Sequence, residues 1–180
     1  MPYAVTHILA AIILVELFRT YFIKDNKKFP RYYILIAAFG GILPDLDWIA
    51  VYVLYPFGID IWKIHPAYTH ILLLPLALFF IGILASKLKI KNKELGKKHL
   101  HLKTIFFILA ATSLLHISLD LIFHNATALF YPFSKATFGL SLDDLIPLEL
   151  RNFAFATLDG ILLLLWLFYR QHQFLWFENY

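Results

Sequence analysis

Two carboxylates and a proline interrupt an apolar run. The stretch Gly40-Gly41-Ile42-Leu43-Pro44-Asp45-Leu46-Asp47 lies inside Tyr33–Tyr55, which is long enough to cross a bilayer. A carboxylate at membrane depth costs roughly 2.5–3.5 kcal/mol on insertion scales. Pro44 removes a backbone donor and obstructs the preceding turn, and Gly40-Gly41 is expected to loosen the same place. In lipid such a break is tolerated where it is buried in protein or lines a watery cavity. Two readings follow: a kinked helix with buried, protonated aspartates, or carboxylates that hold a metal ion.

The rest of the chain reads as a membrane protein. Its 180 residues are enough for a single domain, 1–180. A hydrophobic fraction of 61% and a mean hydropathy of +0.70 are too apolar for a soluble protein of this size. Tyr3, Tyr32, Tyr33, Tyr55, Trp62 and Tyr169 sit near the ends of apolar blocks, as in an interfacial aromatic belt. There is no cysteine, so any metal here takes nitrogen and oxygen ligands. The net charge of +4 comes from lysines in two short connectors and reads as a topology signal, with no nucleic-acid partner. His7 and Glu16 in the first block, without a basic leader, argue against a removable signal peptide.

Five spans are expected in an all-α, polytopic helix bundle: Tyr3–Ile23, Tyr33–Tyr55, Tyr68–Ala85, Thr104–Phe123 and Asn152–Tyr169. Glu16 and Arg19, three apart, can pair on one helix face. The connector Lys24–Tyr32 is basic, and Ser86–Lys103 carries seven lysines against Glu94. Both are assigned to the cytoplasm, which puts the N-terminus outside and the C-terminus inside.

On that topology the buried polar residues fall at similar depth on the outer side. His7 is in the first span, Asp45 and Asp47 in the second, His65 in the outer loop and His70 at the start of the third. His116 and Asp120 are in the fourth, His124 at its mouth, and Asp159 in the fifth. His116 and Asp120 are four apart and project from one helix face, so they can bind one ion together. Imidazole and carboxylate donors without thiolate suit Zn²⁺, Mn²⁺ or Fe²⁺ better than Ca²⁺.

His7, GGILPDLDW, HPAYTH, LLHISLDLIFH and YPFSKATFGL resemble the motif series of the YdjM-like membrane-bound metal-dependent hydrolases, from His7 to about Leu140. Pro66 departs from that pattern, which usually has arginine there. The order His, Asp, His, His-x-x-x-Asp is also similar, more distantly, to the zinc-dependent phospholipases C. Carried over by position, the resemblance implies the metal ligands His7, Asp45, Asp47, His70, His116 and Asp120, holding one to three divalent ions, zinc foremost. It leaves His65 as a ligand or general acid and Asp159 as a partner that orients a ligating histidine.

The leading expectation is a membrane-embedded metal-dependent hydrolase acting on a lipid phosphoester at the outer leaflet, with membrane lipid as its partner. Asp47 or Asp120 would accept the proton. The alternative is a metal-ion or proton transporter using the same cluster. Transport calls for polar residues along the whole path, and the inner halves of the spans hold little beyond Glu16 and Arg19.

Overall fold

The computed structural model describes residues 3–23, 29–58, 69–87, 93–124 and 127–178. They form six α-helices: α1 (Ala4–Phe18), α2 (Tyr32–Ile42), α3 (Asp47–Leu54), α4 (Leu73–Lys87), α5 (Lys93–Phe123) and α6 (Leu148–Glu178). Among the described residues there is no β-strand, only an isolated bridge between Thr127 and Phe138. The architecture is the expected all-α membrane bundle, with α2 and α3 as the two halves of the broken second span.

Among the described residues, three helical stretches are long and apolar enough to cross a bilayer: Ala4–Ile23, Leu102–Phe123 and Leu148–Gln173. The first reaches its length through a π-helical extension of α1, Arg19–Ile23. The other two expected spans are shorter. Tyr32–Leu46 stops at the break, and the 15 residues of α4 rise only about 22 Å, less than the roughly 30 Å hydrocarbon core. Their exposed faces are apolar all the same, with Leu35, Phe39, Leu76 and Phe80 turned outward. In contrast to the expected connector Ser86–Lys103, helix already begins at Lys93, where Lys, Glu and Leu are good helix formers and a single glycine, Gly96, is tolerated. Likewise α6 runs well past the expected Asn152–Tyr169 at both ends.

Helix α5 is central. It packs against α4 on one side and α2 on the other, while α1 joins α2 and α5 and carries α6 on its outer face. The apolar core of α1, α2 and α5 is Val15, Phe29, Tyr33, Ala37 and Ile108. Residues 127–147 cross one end of the bundle, held by Leu72 N–H to Leu129 C=O at 3.0 Å and Leu140 N–H to Leu121 C=O at 2.7 Å.

The glycines of the break do not loosen it. Helix α2 continues through both, and each lets a neighbour approach. A Cβ on Gly41 would stand 2.7 Å from the His7 carbonyl oxygen and 2.8 Å from Ala11 Cβ, so α1 lies directly on this position. A Cβ on Gly40 would meet Thr112 Oγ1 of α5.

Glu16 also departs from expectation. Its carboxylate binds α6, accepting hydrogen bonds from Trp166 Nε1 at 2.6 Å and Arg170 Nη1 at 3.0 Å. Arg19 Nε donates to the Phe29 carbonyl at 2.9 Å. A lipid-buried charge is stabilised more by a second helix than by its own solvent-facing turn.

Overpacking a tight contact costs roughly 1–3 kcal/mol. Gly41→Ala, which meets backbone, is expected to lower the thermal midpoint in detergent, and a second change in α5 should not restore it. Gly40→Ala meets a side-chain oxygen, so Thr112→Ala should recover part of its loss. Melting curves of the four variants check this, and equal rescue of both glycine variants would contradict it.

Candidate metal centre

Pro44 organises the site through what it lacks. In a continuous helix Gly40 C=O would accept from the N–H of residue 44, and proline has none. Chain direction changes here through a 3₁₀ turn, Leu43–Leu46, with proline in its first turn, where a missing donor is tolerated. Two side chains of α5 take the carbonyls at the break. Ser113 Oγ donates to Gly40 C=O at 3.3 Å, and His116 Nδ1 donates to Gly41 C=O at 2.7 Å. A carbonyl only accepts, so His116 carries a proton on Nδ1, and its Nε2 faces inward.

Two further elements and the next turn of α5 bring ligand atoms to that nitrogen, and α1 adds a fourth wall that bears a histidine. His70, in the turn before α4, brings Nε2 to 3.2 Å from His116 Nε2 and 3.2 Å from Asp45 Oδ1. Asp45, in the 3₁₀ turn, has Oδ1 at 3.5 Å from His116 Nε2. Asp120, one turn after His116 on α5, brings Oδ2 to 3.2 Å from His116 and 3.4 Å from His70. His7 of α1 stacks on His116 with ring centroids 3.8 Å apart, and its Nε2 lies 3.4 Å from the other oxygen of Asp120.

These distances fit an ion. Ligand atoms held 2.0–2.1 Å from a tetrahedral Zn²⁺ stand about 3.3 Å from one another. Asp45 Oδ1, His70 Nε2 and His116 Nε2 make one triangle and His70 Nε2, His116 Nε2 and Asp120 Oδ2 another, sharing the His70–His116 edge, with sides of 3.2–3.5 Å. Burial points the same way. His7, His70, His116 and Asp120 are almost wholly buried, while the Asp45 side chain is 22% exposed. Both Asp120 oxygens and His7 Nδ1 have no hydrogen-bond partner among the described residues. Buried carboxylates among imidazoles call for positive charge, which an ion between them would supply. Two overlapping groups with metal-binding spacing share His116: His7 with His116 and Asp120, and Asp45 with His70 and His116.

The order of these residues, from His7 in the first helix to Asp120 in the fifth, is the order of the resemblance noted in the sequence. The chain belongs to the YdjM inner membrane protein family, which matches it over residues 1–177. No curated protein and no solved structure matches it.

Not every YdjM-family position enters the cluster. Asp47 is buried but outside both groups; its Oδ2 accepts a hydrogen bond from Thr69 Oγ1 at 2.7 Å. The one-residue spacer in Asp45-Leu46-Asp47, wound through the 3₁₀ turn, sends the two carboxylates to different neighbours. His65 lies outside the described residues. Asp159 accepts from Thr6 Oγ1 rather than from a histidine, because Thr6 is the residue that α1 presents to α6. His124 sits 3.5 Å from Asp143, which Arg151 also approaches at 3.6 Å. Three contributors were not singled out from sequence: Thr69, Ser113 and the Gly41 carbonyl. Ser113 was within reach of spacing arguments, being one turn before His116 on the same face. The other two act through tertiary contacts.

Zn²⁺ titration in detergent should separate these groups. Alanine at Asp45, His70, His116 or Asp120 is expected to weaken binding by more than the roughly 10–100-fold of an outer-shell change. His124→Ala should bind like wild type. Retained affinity in any of the four would remove that residue from the donor set.

Proposed function

We propose that this inner membrane protein is a metal-dependent hydrolase of a lipid phosphoester. The observation that carries the reading is the convergence of Asp45, His70, His116 and Asp120 at ligand-to-ligand distances of 3.2–3.5 Å around the two histidines, with His7 on the other oxygen of Asp120. These residues would hold Zn²⁺ or a similar transition ion, which supplies Lewis acidity that acidifies water and polarises a phosphoryl oxygen. Asp120 Oδ1 is placed to accept the proton released from water, and His7 Nε2, 3.4 Å away, to receive it next. Asp45 is the partly exposed member, so a head group approaches from its side.

A lipid substrate is supported by the surroundings. An apolar groove of about 440 Å³ runs between α4 and α5, lined by Leu72, Leu76, Phe79, Phe107 and Leu114. Leu72 is two residues from His70 and Leu114 two from His116. An acyl chain in that groove would leave its head group beside the donors.

The packing speaks against transport. Between the donor cluster and the Glu16–Arg170 pair, the buried faces of α1, α2 and α5 carry Leu9, Ala11, Ala37, Ile108 and Ala110. The hydroxyls of Thr112 and Ser113 in this layer are committed to the carbonyls of Ile108 and Gly40. An apolar layer of this kind closes a path rather than lining one.

Incubation of detergent-solubilised protein with total membrane lipid is expected to release a phosphorylated head group, detected by mass spectrometry. A chelator should stop the release, added Zn²⁺ should restore it, and Asp45→Asn should abolish it. Metal-dependent ion flux in vesicles with an unchanged lipid profile would favour transport instead.

The site is assigned to the outer leaflet by the lysine-rich start of α5, which the positive-inside bias puts in the cytoplasm. A periplasm-dependent reporter inserted within residues 127–147 should be active, and one within 93–103 inactive. The reverse pattern would put the site on the cytoplasmic side.

A further inference from the structure

Asp47 is buried beside the donor cluster and, among the described residues, belongs to neither metal-binding group. We propose that Asp47 and Thr69 form a hydrogen-bonded relay that fixes the tautomer and ring orientation of His70, so that Asp47 is a positioning residue and not a ligand. The polarity of the relay follows from its end. An ionised carboxylate only accepts, and the Thr69 hydroxyl has one proton to give. That proton goes to Asp47 Oδ2, at 2.7 Å. Thr69 Oγ1 therefore meets His70 Nδ1, 3.2 Å away, as an acceptor. The His70 proton is then on Nδ1, and Nε2 presents its lone pair to the cluster, 3.2 Å from both Asp45 Oδ1 and His116 Nε2.

Reversing the relay shows why the carboxylate matters. If Thr69 donated to His70, the imidazole proton would move to Nε2, between Asp45 and His116, and the nitrogen could not bind an ion. Threonine alone allows either direction; Asp47 selects one. The two aspartates of Pro44-Asp45-Leu46-Asp47 thus hold one imidazole at its two ends, Asp45 at Nε2 and Asp47 behind Nδ1. His116 is likewise held at Nδ1 by the Gly41 carbonyl, so both of these histidines have an outer partner.

The inference rests on the metal-binding part of the proposed function and not on hydrolysis. Zn²⁺ affinity of the detergent-solubilised full chain, measured against a chelator, is the first test. Thr69→Val and Asp47→Ala should weaken binding by on the order of 10–100-fold, the range for an outer partner of a ligating histidine. Thr69→Ser keeps the hydroxyl and should stay close to wild type, whereas Asp47→Asn, whose amide can also donate to Thr69, loses the selection of direction and should weaken binding without abolishing it. Asp47→Asn losing zinc as completely as Asp45→Asn would make Asp47 a ligand and overturn the proposal, as would unchanged affinity in Thr69→Val. The second test needs no folded variant at Thr69 or Asp47. Nitrogen-15 spectra of metal-free wild type, with His70 identified by the signal lost in His70→Gln, should show His70 protonated at Nδ1. Protonation at Nε2 refutes the relay. Wild type that binds no Zn²⁺ would refute the metal reading, and the tautomer of His70 would still decide the relay.

Discussion

The hydrogen bond from His116 Nδ1 to the Gly41 carbonyl joins the backbone of one helix to the chemistry of another. It exists because Pro44 ends the regular α-helical ladder of α2 and leaves carbonyls within the bilayer region in need of donors. Ser113 and His116 supply them from α5. A backbone acceptor at this depth is satisfied by protein, since lipid offers nothing. The same bond holds the proton on Nδ1 and turns Nε2 of His116 toward Asp45, His70 and Asp120. Satisfying the break and building the donor cluster are therefore one event.

Close approach of three helices is the second requirement, and Gly40 and Gly41 provide it. With no side chain at either position, α1 and α5 both come onto α2 at the level of the break. That brings His7 face to face with His116 and puts its Nε2 against Asp120. Small residues at helix contacts are a general device where lipid gives no hydrophobic driving force between helices. Here the tight packing also determines which imidazoles can share an ion.

Polarity is distributed unevenly along the bundle. One end holds the histidines and aspartates under residues 127–147. Further along α1, Glu16 is neutralised by Arg170 and Trp166 of α6, a pairing that attaches a helix otherwise exposed over most of its surface. The two polar groups do different work. The Glu16 set has its hydrogen bonds, whereas the buried oxygens of Asp120 have no hydrogen-bond partner among the described residues and face three imidazoles. That contrast separates a structural ion pair from a site built for a cation.

The sequence by itself determined the class of the molecule. Apolar blocks fix a membrane helix bundle because an unpaired backbone is too costly in lipid, and helical period alone puts His116 and Asp120 on one face. The motif order from His7 to Asp120 also carried the family. Tertiary structure decided what spacing could not. Asp45 and Asp47 are indistinguishable in a Pro-Asp-x-Asp string; the pitch of the 3₁₀ turn sends one to His70 and the other to Thr69. Glu16 looked paired with Arg19 on its own helix, and the partner came from α6, some 150 residues away. Asp159 likewise found Thr6 instead of a histidine. Periodicity reports which residues share a face, but which face meets which helix depends on packing between segments far apart in the chain. The donor cluster, drawn from α1, the break, the turn before α4, and α5, exists only once that packing is complete.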